Sequence, residues 1–169
     1  MNATLAAWNA ADEVTALQAM IACCGSKRWA QAIVAARPIE SIEKLSEEAD
    51  RVWSTMEEPD WMEAFACHPR IGERKAPHAV EQSAAWSAQE QASTAQATER
   101  VMAELAAGNA VYEERYGFTY IVCAKGKSAE EMLAILNRRL ASSHDAELRE
   151  AAEQQRQITQ IRLGKWLVE

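Results

Sequence analysis

Apolar residues recur at three- and four-residue spacing along most of the chain, the pattern of helices that each bury one face. Leu5 and Trp8 mark a short first helix over 2–9. Val14, Leu17, Met20 and Ile21 mark a second, which Asp12 can cap. Gly25 and Ser26 end that helix and open a third, which carries Trp29, Ile33 and Val34 and stops at Pro38. Ser41 begins a longer helix through Met56, with Ile42, Leu45, Ala49, Val52 and Trp53 at core spacing. Pro59 suits the first position of the next helix. Trp61, Ala64 and Phe65 carry that helix to His68, where Pro69 disfavours the α region. Residues 70–82 are charged and irregular and read as a loop. A long Ala- and Gln-rich helix is expected from Ser87 to Ala107, opened by the capping box Ser87-Ala88-Gln89-Glu90 and continuing past Gly108 to Tyr116. The aromatic stretch from Arg115 to Lys125 breaks it and is the most strand-like part of the chain. Ser128-Ala129-Glu130-Glu131 is a second capping box, heading a helix to about Ala141. Asp145 can cap the last helix, on which Ile158, Arg162 and Trp166 share a face. The expectation is an all-α fold, one compact domain of about eight helices over 1–169.

Composition narrows the function without naming it. The chain has 169 residues, 49% apolar and 25% charged, which fits an ordinary globular domain. Its net charge is -7 and it lacks a basic stripe, so nucleic acid is not an expected partner. No apolar run reaches the length of a membrane span, so no membrane partner is expected either. The N-terminus does not read as a secretory signal, and the C-terminal Trp166-Leu167-Val168-Glu169 is not a peroxisomal address. A cytoplasmic protein is expected. The four cysteines, Cys23, Cys24, Cys67 and Cys123, show no CxxC spacing, and reduced, mostly buried thiols are expected.

The chemistry concentrates around Cys67-His68-Pro69-Arg70-Ile71-Gly72-Glu73. One of only three histidines stands there at the sharp exit of a helix, a position suited to a general acid or base. A plain capping histidine is the structural alternative. Ser87, Glu90 and Gln91 fall at i, i+3 and i+4, on one helix face, where a first turn would add free N–H groups. Arg162 is flanked by apolar residues on its own face, so its guanidinium needs an anionic or carbonyl partner. His78, in the 70–82 loop, reads as a solvent-exposed residue.

His68-Pro69-Arg70-Ile71-Gly72-Glu73 resembles the signature of the 2-oxo-4-hydroxy-4-carboxy-5-ureidoimidazoline (OHCU) decarboxylases, enzymes of urate breakdown. The Ser-x-x-Glu-Gln pattern at 87–91, the Tyr-Gly-Phe-x-Tyr stretch at 116–120 and the Arg-Leu pair at 162–163 resemble further family motifs in the same order. Tyr116 and Tyr120 stand where the family commonly has Phe, and Gln157 stands where it usually has Lys. The resemblance implies decarboxylation of OHCU to (S)-allantoin, with His68 and Glu90 catalytic. It implies that Pro69, Ser87, Gln91, Phe118, Val122 and Arg162 bind a small ureide substrate. It also implies that main-chain groups near the Cys23-Cys24-Gly25-Ser26 break line the site, and that the protein forms a homodimer. No cofactor and no metal are expected: the electrons released with carbon dioxide can delocalise into an adjacent imine of the substrate. Two readings from other classes stand beside it. One is a non-catalytic helical interaction module in which His68 only caps. The other is a thiol- or metal-dependent protein in which Cys67, His68 and Cys123, or the Cys23-Cys24 pair, converge.

Overall fold

The computed structural model describes residues 2–71, 80–90 and 98–169. Among them it contains nine α-helices and no β-strand: α1 (Ala3–Ala10), α2 (Glu13–Cys23), α3 (Lys27–Ala35), α4 (Ile42–Trp53), α5 (Glu58–Phe65), α6 (Glu81–Glu90), α7 (Glu99–Tyr116), α8 (Ala129–Arg139) and α9 (His144–Trp166). The all-α expectation holds. The chain falls into two compact units, one holding residues up to Ala64 together with Arg156–Glu169, the other Phe65–Gln155.

In the first unit the expected caps form. The side chains of Asp12, Ser26 and Ser41 accept from the N–H groups of Thr15, Trp29 and Lys44. Each satisfies one of the donors a helix start leaves open. The core gathers Leu5, Met20, Trp29, Ile33, Leu45 and Val52. Two buried indoles keep their polar ends paired. Trp8 Nε1 donates to the Ala16 carbonyl at 3.0 Å, and Trp29 Nε1 donates to the Ala49 carbonyl at 3.1 Å. That pairing is what makes a buried Trp affordable.

In the second unit α7 packs on α8. Gly108 is the close point: a Cβ built there would stand 2.6 Å from Leu136 Cδ2. The glycine is inside a continuous helix, so it serves helix contact and not a helix end. Gly117 does end α7, in the left-handed region at φ +83° with its N–H on the Glu113 carbonyl.

Three expectations change. The long helix from Ser87 is two helices in the described residues. Ser87 lies well inside α6, which has already begun at Glu81, so it is not an N-cap. The start of α7 is capped by Thr98, whose side chain accepts from Val101 N–H at 3.3 Å. Among the described residues the helix number is thus nine where about eight were expected. Asp145 does not cap the last helix. Ser143 does, accepting from Ala146 N–H at 3.2 Å, and Asp145 sits in the first turn, where a carboxylate also suits the dipole. The strand-like stretch forms no strand. Its backbone at 119–124 is irregular, and side chains take over the role of a ladder. Arg139 Nη1 donates to the Ile121 carbonyl at 2.6 Å, Cys123 N–H donates to Gln154 Oε1 at 2.8 Å, and Lys127 Nζ donates to the Cys123 carbonyl at 2.8 Å.

Candidate active site

α5 ends at Phe65, three residues before His68, and the His68 N–H turns back onto the Phe65 carbonyl at 3.1 Å. The helix therefore stops slightly earlier than Pro69 alone implies, and the imidazole stands on the turn that follows. His68 is half-buried and Pro69 is buried. The ring Nε2 lies 2.6 Å from Oε1 of Gln155, a fully buried residue of α9. Arg70, next after Pro69, clamps Glu113 of α7 through two bonds, Nε at 2.7 Å and Nη2 at 2.8 Å. That fork holds the Glu113 carboxyl below the usual carboxylate range. The motif is thus fixed on both sides of the histidine.

Phe118 is buried beside Phe65, with ring centroids 5.2 Å apart, and meets the edge of Tyr112 at 5.7 Å. This aromatic contact brings the start of the irregular 118–124 segment to the end of α5. Val122 is half-buried on that segment, between the anchored groups of Ile121 and Cys123. The anchors rest on a buried charge network. Arg139 Nε donates to Glu147 Oε1 at 2.6 Å, and Tyr112 donates to the same oxygen. Burial, reinforced by the Glu147 carboxylate, pushes the Tyr112 phenol far above its ordinary range, so it stays a donor.

Ser83, Trp86 and Ser87 form the buried face of α6, and Glu90 continues that face, half-buried. Ser87 and Glu90 therefore do share a face, but at the far end of α6 from its N-terminus. The anion-favouring N–H groups expected beside them are not there. Gln91, His78 and most of the expected 70–82 loop lie outside the described residues.

Arg162 belongs to the first unit, where it is 1% exposed. Its charge reaches Cys23 of α2. Burial pushes the Cys23 thiol far up, and Arg162 offsets only part of that, so the thiol stays protonated. Of the four cysteines, Cys23, Cys24 and Cys123 are buried and Cys67 is half-buried. Among the described residues no three His, Cys, Asp or Glu side chains are placed to hold a metal ion.

The structure thus brings His68, Pro69, Phe118 and Val122 into one region of the second unit, with Ser87 and Glu90 on the inner face of α6 in the same unit. Sequence reasoning missed Gln154, Gln155 and the Arg139–Glu147 pair. Arg139 did leave a signal, since it follows Met132 and Leu136 on an apolar stripe, as Arg162 follows Ile158. The two glutamines left none.

A family model described as OHCU decarboxylase matches residues 9–164. The chain belongs to the OHCU decarboxylase family. It is 37% identical over 145 residues to a uric acid degradation bifunctional protein of Arabidopsis thaliana, covering 85% of this chain and 44% of that one. It therefore spans less than half of that relative. It is 25% identical over 130 residues to a 2-oxo-4-hydroxy-4-carboxy-5-ureidoimidazoline decarboxylase of Haloferax volcanii, covering 76% and 74%. A crystal structure of OHCU decarboxylase in the presence of (S)-allantoin superposes with TM-score 0.76 at 30% identity, covering 88% of this chain and 96% of that one.

Proposed function

We propose that this protein decarboxylates OHCU to (S)-allantoin without a cofactor, in the breakdown of urate. The observation that carries the reading is His68. The family's His-Pro motif falls on a rigid turn, with the ring held through Nε2 and the next residues clamped by Arg70. A proton-transfer group needs that kind of fixed placement.

In this reading the substrate carries its carboxylate and a hydroxyl on one ring carbon, beside a carbon that forms an imine. Loss of carbon dioxide sends the C–C bonding pair into the imine. The enzyme then has to orient the ring, stabilise charge and deliver a proton to one face. His68 exchanges a proton with the hydroxyl as charge develops. Glu90 orients the substrate or passes the proton that sets the stereocentre. Ser87, Gln91 and main-chain groups near Val122 hold the ureido and amide edges, while Pro69 and Phe118 give the ring an apolar wall. Arg162 takes a negative or carbonyl oxygen. A homodimer and a cytoplasmic location belong to the same proposal and rest on the family resemblance. No described helix is long and apolar enough to cross a membrane.

The test is turnover of OHCU freshly generated from urate, by wild type and by His68→Gln. Wild type should beat the spontaneous rate, and the variant should lose most of that advantage while remaining folded. A fully active His68→Gln would remove His68 from the chemistry.

A further inference from the structure

We propose that Gln155 is a positioning residue for His68, holding the neutral imidazole in the tautomer that carries its proton on Nε2. The inference rests on the reading of His68 as the proton-transfer group, and it concerns a residue that the sequence motifs do not touch.

Gln155 sits in the middle of α9, the 23-residue helix His144–Trp166, so its backbone is fixed. Its neighbours on the same face are Ala151, Ala152, Ile158 and Thr159, all buried, and Gln155 itself is 0% exposed. A primary amide on such a face costs desolvation energy unless its polar atoms are paired. Its Oε1 meets His68 Nε2 at 2.6 Å. A carbonyl oxygen only accepts, so this contact requires the ring proton on Nε2. In the neutral ring the basic lone pair then belongs to Nδ1. The choice of an amide matters chemically. A carboxylate at the same place would favour the imidazolium and hold the proton, whereas a neutral amide orients the ring without raising its charge. The preceding residue works in parallel. Gln154 accepts from Cys123 N–H at 2.8 Å and donates to Glu150 Oε1 at 3.0 Å. Consecutive amides of α9 therefore hold the histidine turn and the 118–124 segment from one rigid element.

The tautomer is directly observable. In the full chain labelled with 15N-histidine, at a pH where the rings are neutral, long-range proton–nitrogen correlations distinguish the N–H nitrogen from the bare one. With only three histidines, the His68→Gln spectrum assigns the signals of His68. A neutral imidazole in water exchanges between both forms. The expected result is that His68 shows a single Nε2–H form, with that proton slowed in exchange with water. Gln155→Met should return the ring to the averaged mixture, and Gln155→Glu, which keeps an acceptor, should retain Nε2–H. In turnover of OHCU, Gln155→Met should lower kcat by about ten- to a hundredfold, less than the roughly 10²- to 10⁴-fold that a general acid or base itself contributes, with KM changed by less than about twofold. An Nδ1–H ring in wild type, or the same tautomer mixture in wild type and Gln155→Met, would overturn the proposal. Should Gln155→Met not fold, the wild-type spectrum still decides it. A protein that fails to turn over OHCU but shows a Gln155-dependent Nε2–H ring would refute the functional reading and leave this one standing.

Discussion

His68 and Arg162 show how differently single residues advertise themselves. His68 drew attention because a titratable ring at the sharp exit of a helix suits proton transfer, and because the motif around it resembles a family signature. Arg162 was legible because a charge interrupts an apolar stripe, and it is indeed buried. Gln155 was not legible. Glutamine is common on exposed helix faces, and only the fold reveals that this one is buried against the imidazole. At this scale His68→Gln is expected to lower kcat by about 10²- to 10⁴-fold, the usual contribution of a general acid or base, with an unchanged thermal midpoint. Steady-state kinetics beside a circular-dichroism melt checks both halves. A large drop in the midpoint would assign His68 a structural role instead.

Helices were read well where their ends carry chemistry. Asp12, Ser26, Ser41 and Ser128 all cap as expected, because a short polar side chain before an apolar run has one obvious use. Ser87 carried the same signal and misled, because a Ser-x-x-Glu pattern fits a helix interior as well as a helix start. The aromatic run after Tyr116 looked like a strand for a similar reason. β-branched and aromatic residues favour any half-buried extended backbone, and here side chains from α8 and α9 supply the hydrogen bonds. The helix does continue past Gly108, and the glycine is a contact with α8. Gly108→Val should destabilise by about 1–3 kcal/mol, because its side chain must displace the fully buried Leu136. Adding Leu136→Ala should cost less than the sum of the two single changes, which urea unfolding of the double-mutant cycle measures. Strict additivity would mean that the α7–α8 approach is looser than described. Gly117→Ala meets a different obstacle, the positive φ, and should cost about 1–2 kcal/mol in the same assay.

For the whole molecule, charge placement sets the conditions under which the site persists. Arg139 and Glu147 are both nearly inaccessible to water, at 3% and 1% side-chain exposure. Arg139→Met should therefore destabilise by about 3–5 kcal/mol, since it strands a buried carboxylate, and should release the Ile121 carbonyl as well. A midpoint like that of wild type in chemical denaturation would show that the network is not structural. The Arg70–Glu113 fork is more exposed and contributes only about 0.2–1 kcal/mol. Its sign with pH is fixed. The Glu113 carboxyl is depressed in the folded state, so its contribution is full above the ordinary glutamate range and is lost as the pH falls through the lowered value. The stability difference between wild type and Glu113→Gln should accordingly shrink on acidification and be constant near neutrality.

The central proposal is that the protein acts as a stereospecific OHCU decarboxylase. The most direct measurement follows the circular dichroism of allantoin as OHCU, freshly made from urate, is consumed by the purified full chain. The spontaneous reaction yields a racemate and no lasting signal. The account predicts rapid growth of the (S)-allantoin signal in proportion to enzyme concentration, abolished by His68→Gln. Racemic product at the uncatalysed rate, from protein that is demonstrably folded, would contradict it.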